Sequence, residues 1–277
     1  ELVRQLEGGD SSTQSHAAKA LSQIALKSAN LRVQVTKELV QLLSNMDELV
    51  RQRAGETLRD MAEEGGDESQ KIVATSGGVA PLVALLKDGL LDGRLEAQEY
   101  ALWSLSLAND PVSRATMARE GCIELLVQSL NTGELSKKAE EDASNVLAGL
   151  ARDSDNCSNM TDANHDGIPP LVALLTVDSS IGAKKNAATA LARLGAHSQE
   201  TQLAIAKAGA ISSLVRWLTA DSPLIPGMAE LAARALADIA SDNDETAEQI
   251  VGSGAISPLV KMLESGRGSD AHKSASG

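Results

Sequence analysis

The chain has 277 residues and a formal net charge of −13, from 25 basic and 38 acidic side chains. This balance argues against nucleic acid as a partner, because backbone binding needs clustered Lys and Arg to neutralise phosphate. Hydrophobic residues make up 43% of the chain, but the aromatics are only Tyr100, Trp103 and Trp217, with no Phe. The interior must therefore come from Leu, Ile, Val, Met and Ala, which suit closely spaced helices. No apolar run is long enough to cross a bilayer.

A Leu-Val pair followed by Leu three residues on recurs along the chain. It stands at Leu2-Val3 with Leu6, Leu39-Val40 with Leu43, Leu82-Val83 with Leu86 and Leu126-Val127 with Leu130. It continues at Leu171-Val172 with Leu175, Leu214-Val215 with Leu218 and Leu259-Val260 with Leu263. The steps between copies are 37, 43, 44, 45, 43 and 45 residues. A near-constant period of this size marks stacked helical units rather than one globular core. It divides the chain into about seven units: approximately 1–26, 27–62, 63–108, 109–151, 152–196, 197–240 and 241–277.

The first unit starts at a second helix, and Ala20-Leu21 with Ile24-Ala25 marks its third. The second unit has Thr36-Lys37-Glu38 where its sister units carry a bend glycine, so an irregular first helix is expected there. Its third helix carries Thr57-Leu58 and Met61-Ala62. The third unit opens with an amphipathic turn or two over 68–73, broken at Gly77-Gly78, since glycine permits a sharp bend. Pro81 fits a first helical position, where its missing N–H costs nothing. Leu82, Leu85 and Leu86 then share one face of a second helix. A polar loop over 87–94 precedes a third helix over about 95–108, with Ala101, Leu102 and Leu105 inward.

Later units repeat these parts. Bend glycines stand at Gly121, Gly167, Gly209 and Gly254, and prolines at Pro170 and Pro258. Third helices are marked by Val146-Leu147, Ala190-Leu191 and Ala235-Leu236. Trp217 takes an inward place equivalent to Leu85 and reads as core, whereas Trp103 should lie partly exposed at a helix edge. The last unit ends over 269–277, where its third helix should begin, so both terminal units read as incomplete.

The Gly-Gly-x-x-Pro-Leu-Val-x-Leu-Leu run over 77–86, its counterpart over 167–175, and Ala-Ala-x-Ala-Leu-x-x-Leu over 187–194 resemble armadillo repeats. The resemblance covers nearly the whole chain. It implies an all-α, armadillo-type α-solenoid: a right-handed superhelix of three-helix repeats whose third helices line a groove for a partner segment.

Nothing in the chain assembles chemistry. His16, His165, His197 and His272 fall in different units, without metal-ligand spacing. Asp162, Asn164, Asp166 and Gly167 match the first half of a calcium loop. The match fails at Pro169, Pro170 and Ala173, where further ligands are required. Cys122 reads as a small buried residue, and Cys157 lies near Asp153, Asp155 and Asp162, which disfavour a thiolate. Two unpaired cysteines point to a reducing compartment, cytoplasmic or nuclear. No catalytic residue, metal or cofactor is expected, and the chain is read as a non-enzyme.

The resemblance places the groove on three rows of third-helix residues. Two after the repeated Leu stand Gln23, Asp60, Ser104, Gly149, Arg193 and Asp238. Four earlier stand Lys19, Glu56, Tyr100, Asn145, Thr189 and Arg234. One turn further back stand Ser15, Gln52, Glu96, Glu141, Lys185 and Glu230. The Asn and Trp that import receptors of the family carry on the first two rows are absent, so the resemblance supports the architecture and not that function. The candidate groove is acidic at Glu56, Asp60, Glu96 and Glu141, beside Tyr100, and mixed at Lys185, Arg193, Arg234 and Asp238. The expectation is a scaffold or adaptor that binds a protein or peptide partner with a basic segment near Tyr100. Two alternatives remain: a targeting module of a larger enzyme such as a ubiquitin ligase or kinase, and a structural arm without a groove ligand. Oligomeric state is not legible.

Overall fold

The computed structural model describes residues 1–43, 45–73, 78–162, 166–176, 178–219 and 227–264. Among these residues every regular element is a helix. The chain divides into two compact units, Glu1–Leu150 and Ala151–Gly277.

The first unit contains α1 (Leu2–Gly8), α2 (Ser11–Ala25), α3 (Ala29–Leu42), α4 (Glu48–Val73) and α5 (Val79–Leu91). It continues with α6 (Leu95–Leu107), α7 (Pro111–Arg119), α8 (Cys122–Thr132) and α9 (Lys137–Leu150). The third helices α2, α4, α6 and α9 lie side by side in that order, and α5 lies against α6 and α8. Leu21, Leu58, Leu102 and Leu147 are buried between them, as are Leu39, Leu82 and Leu126 of the second helices. Short polar side chains start several helices by accepting hydrogen bonds from otherwise unpaired N–H groups. Asp10 accepts from Thr13 N at 2.7 Å. Asp110 accepts from Val112 N at 3.0 Å and Ser113 N at 3.1 Å.

The second unit contains α10 (Ser154–Thr161), α11 (Ile168–Ala173), α12 (Ile181–Gly195), α13 (Gln199–Lys207), α14 (Ala210–Thr219), α15 (Met228–Ala240) and α16 (Asp244–Gly252). A further helix runs over 256–264. Here α12 lies against α15, burying Leu191 and Leu236. Gly195 permits that approach: a Cβ there would sit 3.3 Å from the Cα of Ile239.

Four local expectations need correction. In the second repeat the first helix is not irregular. It runs into the second as one element, α3, because no glycine interrupts it and Thr36 is buried within it. The third helix of that repeat and the turn over 68–73 both fall within α4, where they meet at a kink: the backbone is not helical at Gly66 (φ 60°, ψ −160°). Gly77 lies outside the described residues, and Gly78 is helical at φ −72°, so Pro81 is the third residue of α5 rather than the first. The expected loop over 87–94 is mostly helix, since α5 continues to Leu91. Gly89 allows this: Gln98 of α6 lies against it and donates from Nε2 to its carbonyl at 3.1 Å. Gly121, Gly209 and Gly254 take the left-handed conformation, but Gly167 does not; Asp166 does instead, at φ 35°. In addition Trp217 is only half-buried, while Leu214, Val215 and Leu218 beside it are buried.

Candidate functional site

Within the first unit, α4, α6 and the start of α9 enclose a cleft of about 390 Å³. One wall is Glu48, Arg51, Gln52, Glu56 and Arg59, spaced so that one face of α4 presents them together. The floor and second wall are Glu96, Ala97, Glu99, Tyr100 and Trp103 of α6, with Leu85 beneath. Ser136, Lys138, Ala139 and Asp142 close the far side, and Arg94 closes one end.

The structure therefore gathers three of the expected residues, Glu56, Glu96 and Tyr100, in one place. Lys19, Gln23 and Asp60 are exposed but lie outside the cleft. Ser104 is buried and unavailable to a partner. Glu141 pairs with Lys138 at 3.7 Å, and Asn145 Nδ2 donates to Ser106 O at 3.3 Å. In the second unit, Lys185, Thr189 and Arg193 stand half-buried on α12, with Arg234 and Asp238 on the neighbouring α15. Thr189 is committed to its own helix, donating to Lys185 O at 2.8 Å.

Tyr100 is not the open aromatic anchor expected from its row. Its ring lies against Gly55, where a Cβ would come within 2.7 Å of Cε1. Its hydroxyl is buried beside Ser104 without a well-formed hydrogen bond, and that burial pushes the phenol well above its ordinary pKa. The aromatic surface of the cleft is shared with Trp103, whose ring centroid is 6.1 Å from that of Tyr100 at a 40° tilt. Arg59 reaches across from α4 and places its guanidinium 5.5 Å from the centre of the Trp103 ring, a cation–π distance. Each follows the repeated Leu of its own helix by one residue, so a fourth row of the repeat carries this pair.

The cleft is also less acidic than three rows suggest. Its five carboxylates face four cations. Arg94 Nη1 pairs with Glu48 at 3.1 Å and Nη2 with Asp92 at 2.8 Å. Burial works against the Arg94 charge, but the two carboxylates outweigh it and raise its pKa. Lys138 pairs with Asp142 at 3.0 Å, and Ser106 Oγ donates to the same carboxylate at 3.3 Å. Asp142 is nevertheless held above the usual carboxylate range, because its side chain is only 6% exposed and desolvation exceeds the help from Lys138. Glu56 is engaged by Arg53 at 2.8 Å and Gln52 at 3.1 Å. Glu99 accepts from Ser136 N at 2.9 Å. Glu48 and Glu96 are the exposed carboxylates of the cleft; Glu48 is held by Arg94, and Glu96 forms no ion pair among the described residues.

Among the described residues, one imidazole stands against two hydroxyls. Ser158 Oγ lies 3.0 Å from His197 Nε2, and Ser154 Oγ lies 3.4 Å from Nδ1. Both ring nitrogens thus face hydroxyls, and the orienting carboxylate of a nucleophilic triad has no place. Burial pushes the Cys122 thiol up to about 12, and burial with Asp153 raises Cys157. No group of three metal-binding side chains occurs among the described residues. The centre of the calcium-like run, 163–165, lies outside them. No described helix is long and apolar enough to cross a membrane.

No family model matches the chain. A curated relative, the Arabidopsis thaliana protein CELLULOSE SYNTHASE INTERACTIVE 3, is 28% identical over 149 residues, which is 53% of this chain but 7% of that protein. An engineered protein of known structure is 29% identical and superposes over 87% of this chain and 95% of its own, with a TM-score of 0.68. A designed armadillo repeat protein is 24% identical over 86% of this chain and 98% of its own, also at 0.68. Another designed armadillo repeat protein, solved with the peptide (KR)4, is 23% identical with the same coverage and a TM-score of 0.66. The periodic leucines, the ordered third helices and these shared folds agree: the chain has an all-α, armadillo-like repeat fold.

Proposed function

We propose that this chain is a non-enzymatic interaction module that holds a segment of a partner protein in the cleft between α4, α6 and α9. The observation that carries the reading is the juxtaposition of a half-buried aromatic pair, Tyr100 and Trp103, with the open carboxylate of Glu96. Aromatic side chains in a concave site supply contact area at low conformational cost, and a few polar groups around them give orientation. The segment that fits is a short peptide with a basic residue facing Glu96. A designed protein of this fold bound to (KR)4 supports a basic ligand. The name of the Arabidopsis relative supports an interaction role.

The test is binding of a fluorescent (Lys-Arg)4 peptide, followed by anisotropy. Wild type should bind in a salt-sensitive manner, because exposed charges are screened. The double variant Glu56→Lys/Glu96→Lys should bind about tenfold or more weakly, as like charges replace complementary ones. Equal affinity for both proteins would overturn the reading.

A further inference from the structure

The face of Trp103 in the cleft is already in use. Arg59 and Trp103 hold the same place in successive repeats, each one residue after the repeated Leu, on neighbouring helices α4 and α6. That register brings the guanidinium 5.5 Å from the ring centre. Arg59 is exposed and Trp103 is half-buried, and both side chains line the cleft. Glu96, Tyr100, Trp103 and Arg59 all line the same cleft.

We propose that Arg59 is an internal competitor for the cleft: it occupies the aromatic face that a cationic side chain of the partner takes, and binding requires it to swing away. This rests on the peptide-binding reading above and adds its regulation. Arg59 thereby sets a threshold. A partner that offers one isolated cation gains little by exchanging one guanidinium for another. A segment that also reaches Glu96 gains an ion pair that Arg59 does not make there. The device selects closely spaced basic residues over single ones.

The experiment measures (Lys-Arg)4 affinity for wild type, Arg59→Ala, Trp103→Leu and the double variant, with helix content checked by circular dichroism. Releasing an exposed cation–π contact should tighten binding ~2- to 5-fold in Arg59→Ala. The gain should vanish when Trp103 is already Leu, which is the coupling that a double-mutant cycle isolates. An equal gain in both backgrounds would mean that Arg59 acts only through its charge, and the inference would fall. Unchanged or weaker binding by Arg59→Ala, with wild-type binding intact, would also overturn it. If none of the four proteins binds the peptide, the proposed function fails and carries this inference with it. A second readout does not depend on Trp103→Leu folding. In a Trp217→Phe background the remaining tryptophan is Trp103, and its emission should change as peptide binds, at lower peptide concentration without Arg59. Peptide binding that leaves this emission unchanged would remove the idea.

Discussion

Asp142 shows how a single residue departs from what its letter suggests. In the sequence it is one more acid on an acidic chain. In the structure its carboxylate is almost fully covered, and its folded pKa is raised because desolvation exceeds the attraction of Lys138. A raised folded pKa means that the folded state keeps the proton to higher pH than the unfolded chain. The associated stabilisation is complete below the ordinary carboxylate pKa and is lost as pH rises through the folded value. Asp142→Asn should therefore match or exceed wild type in thermal stability at pH 7, with the difference closing towards pH 4. Lys138, two-thirds exposed, is left in water rather than stranded. Melting curves at both pH values check this; a variant much less stable at pH 7 would contradict it. The buried leucines were legible because burial repeats with a period. Arg59 on Trp103 was not, because it needs the alignment of two helices rather than the pattern of one. Tyr100 was found by its row, but its burial was not, since the cause is Gly55 on the preceding third helix.

At the scale of elements, the bend glycines were the boundaries the sequence marked, and Gly121 and Gly209 take the left-handed conformation there. The caps supplied by Asp10 and Asp110 were not singled out, although their chemistry favours those places. Gly89 misleads, because an internal glycine in a polar stretch reads as a break. It is retained for space instead: a Cβ there would lie 3.0 Å from Gln98 N and 3.2 Å from Arg94 O. Gly89→Ala should therefore destabilise the protein by ~1–3 kcal/mol despite Ala's better helix propensity, since backbone atoms cannot turn aside as side chains do. Chemical denaturation measures this, and a gain in stability would mean that α5 and α6 are farther apart than described. The long α3 escaped the sequence reading for the complementary reason: lacking a glycine at the usual bend, two short helices become one.

Across the whole chain, the periodic register was visible because most of its leucines serve burial: Leu39, Leu82, Leu126, Leu171 and Leu214 are buried, whereas Leu263 is 69% exposed. The division after Leu150 was not, because Leu147, Leu150 and Ala151 continue the register without interruption. Every residue that lines the cleft falls between Glu48 and Asp142. A fragment of residues 1–150 should thus fold as a helical protein and bind (Lys-Arg)4 within about twofold of the full chain, since 150 residues suffice for a core. Loss of helix content in the fragment would show that its stability is borrowed from residues beyond 150. The bond from Ser136 N to Glu99 carries a lesson about duplication. A carboxylate of one repeat completes the opening turn of the next one's third helix, so a repeat is not a self-sufficient brick. Shuffling or grafting of repeats must move that junction as a unit, or the transplanted rod begins with a raw end.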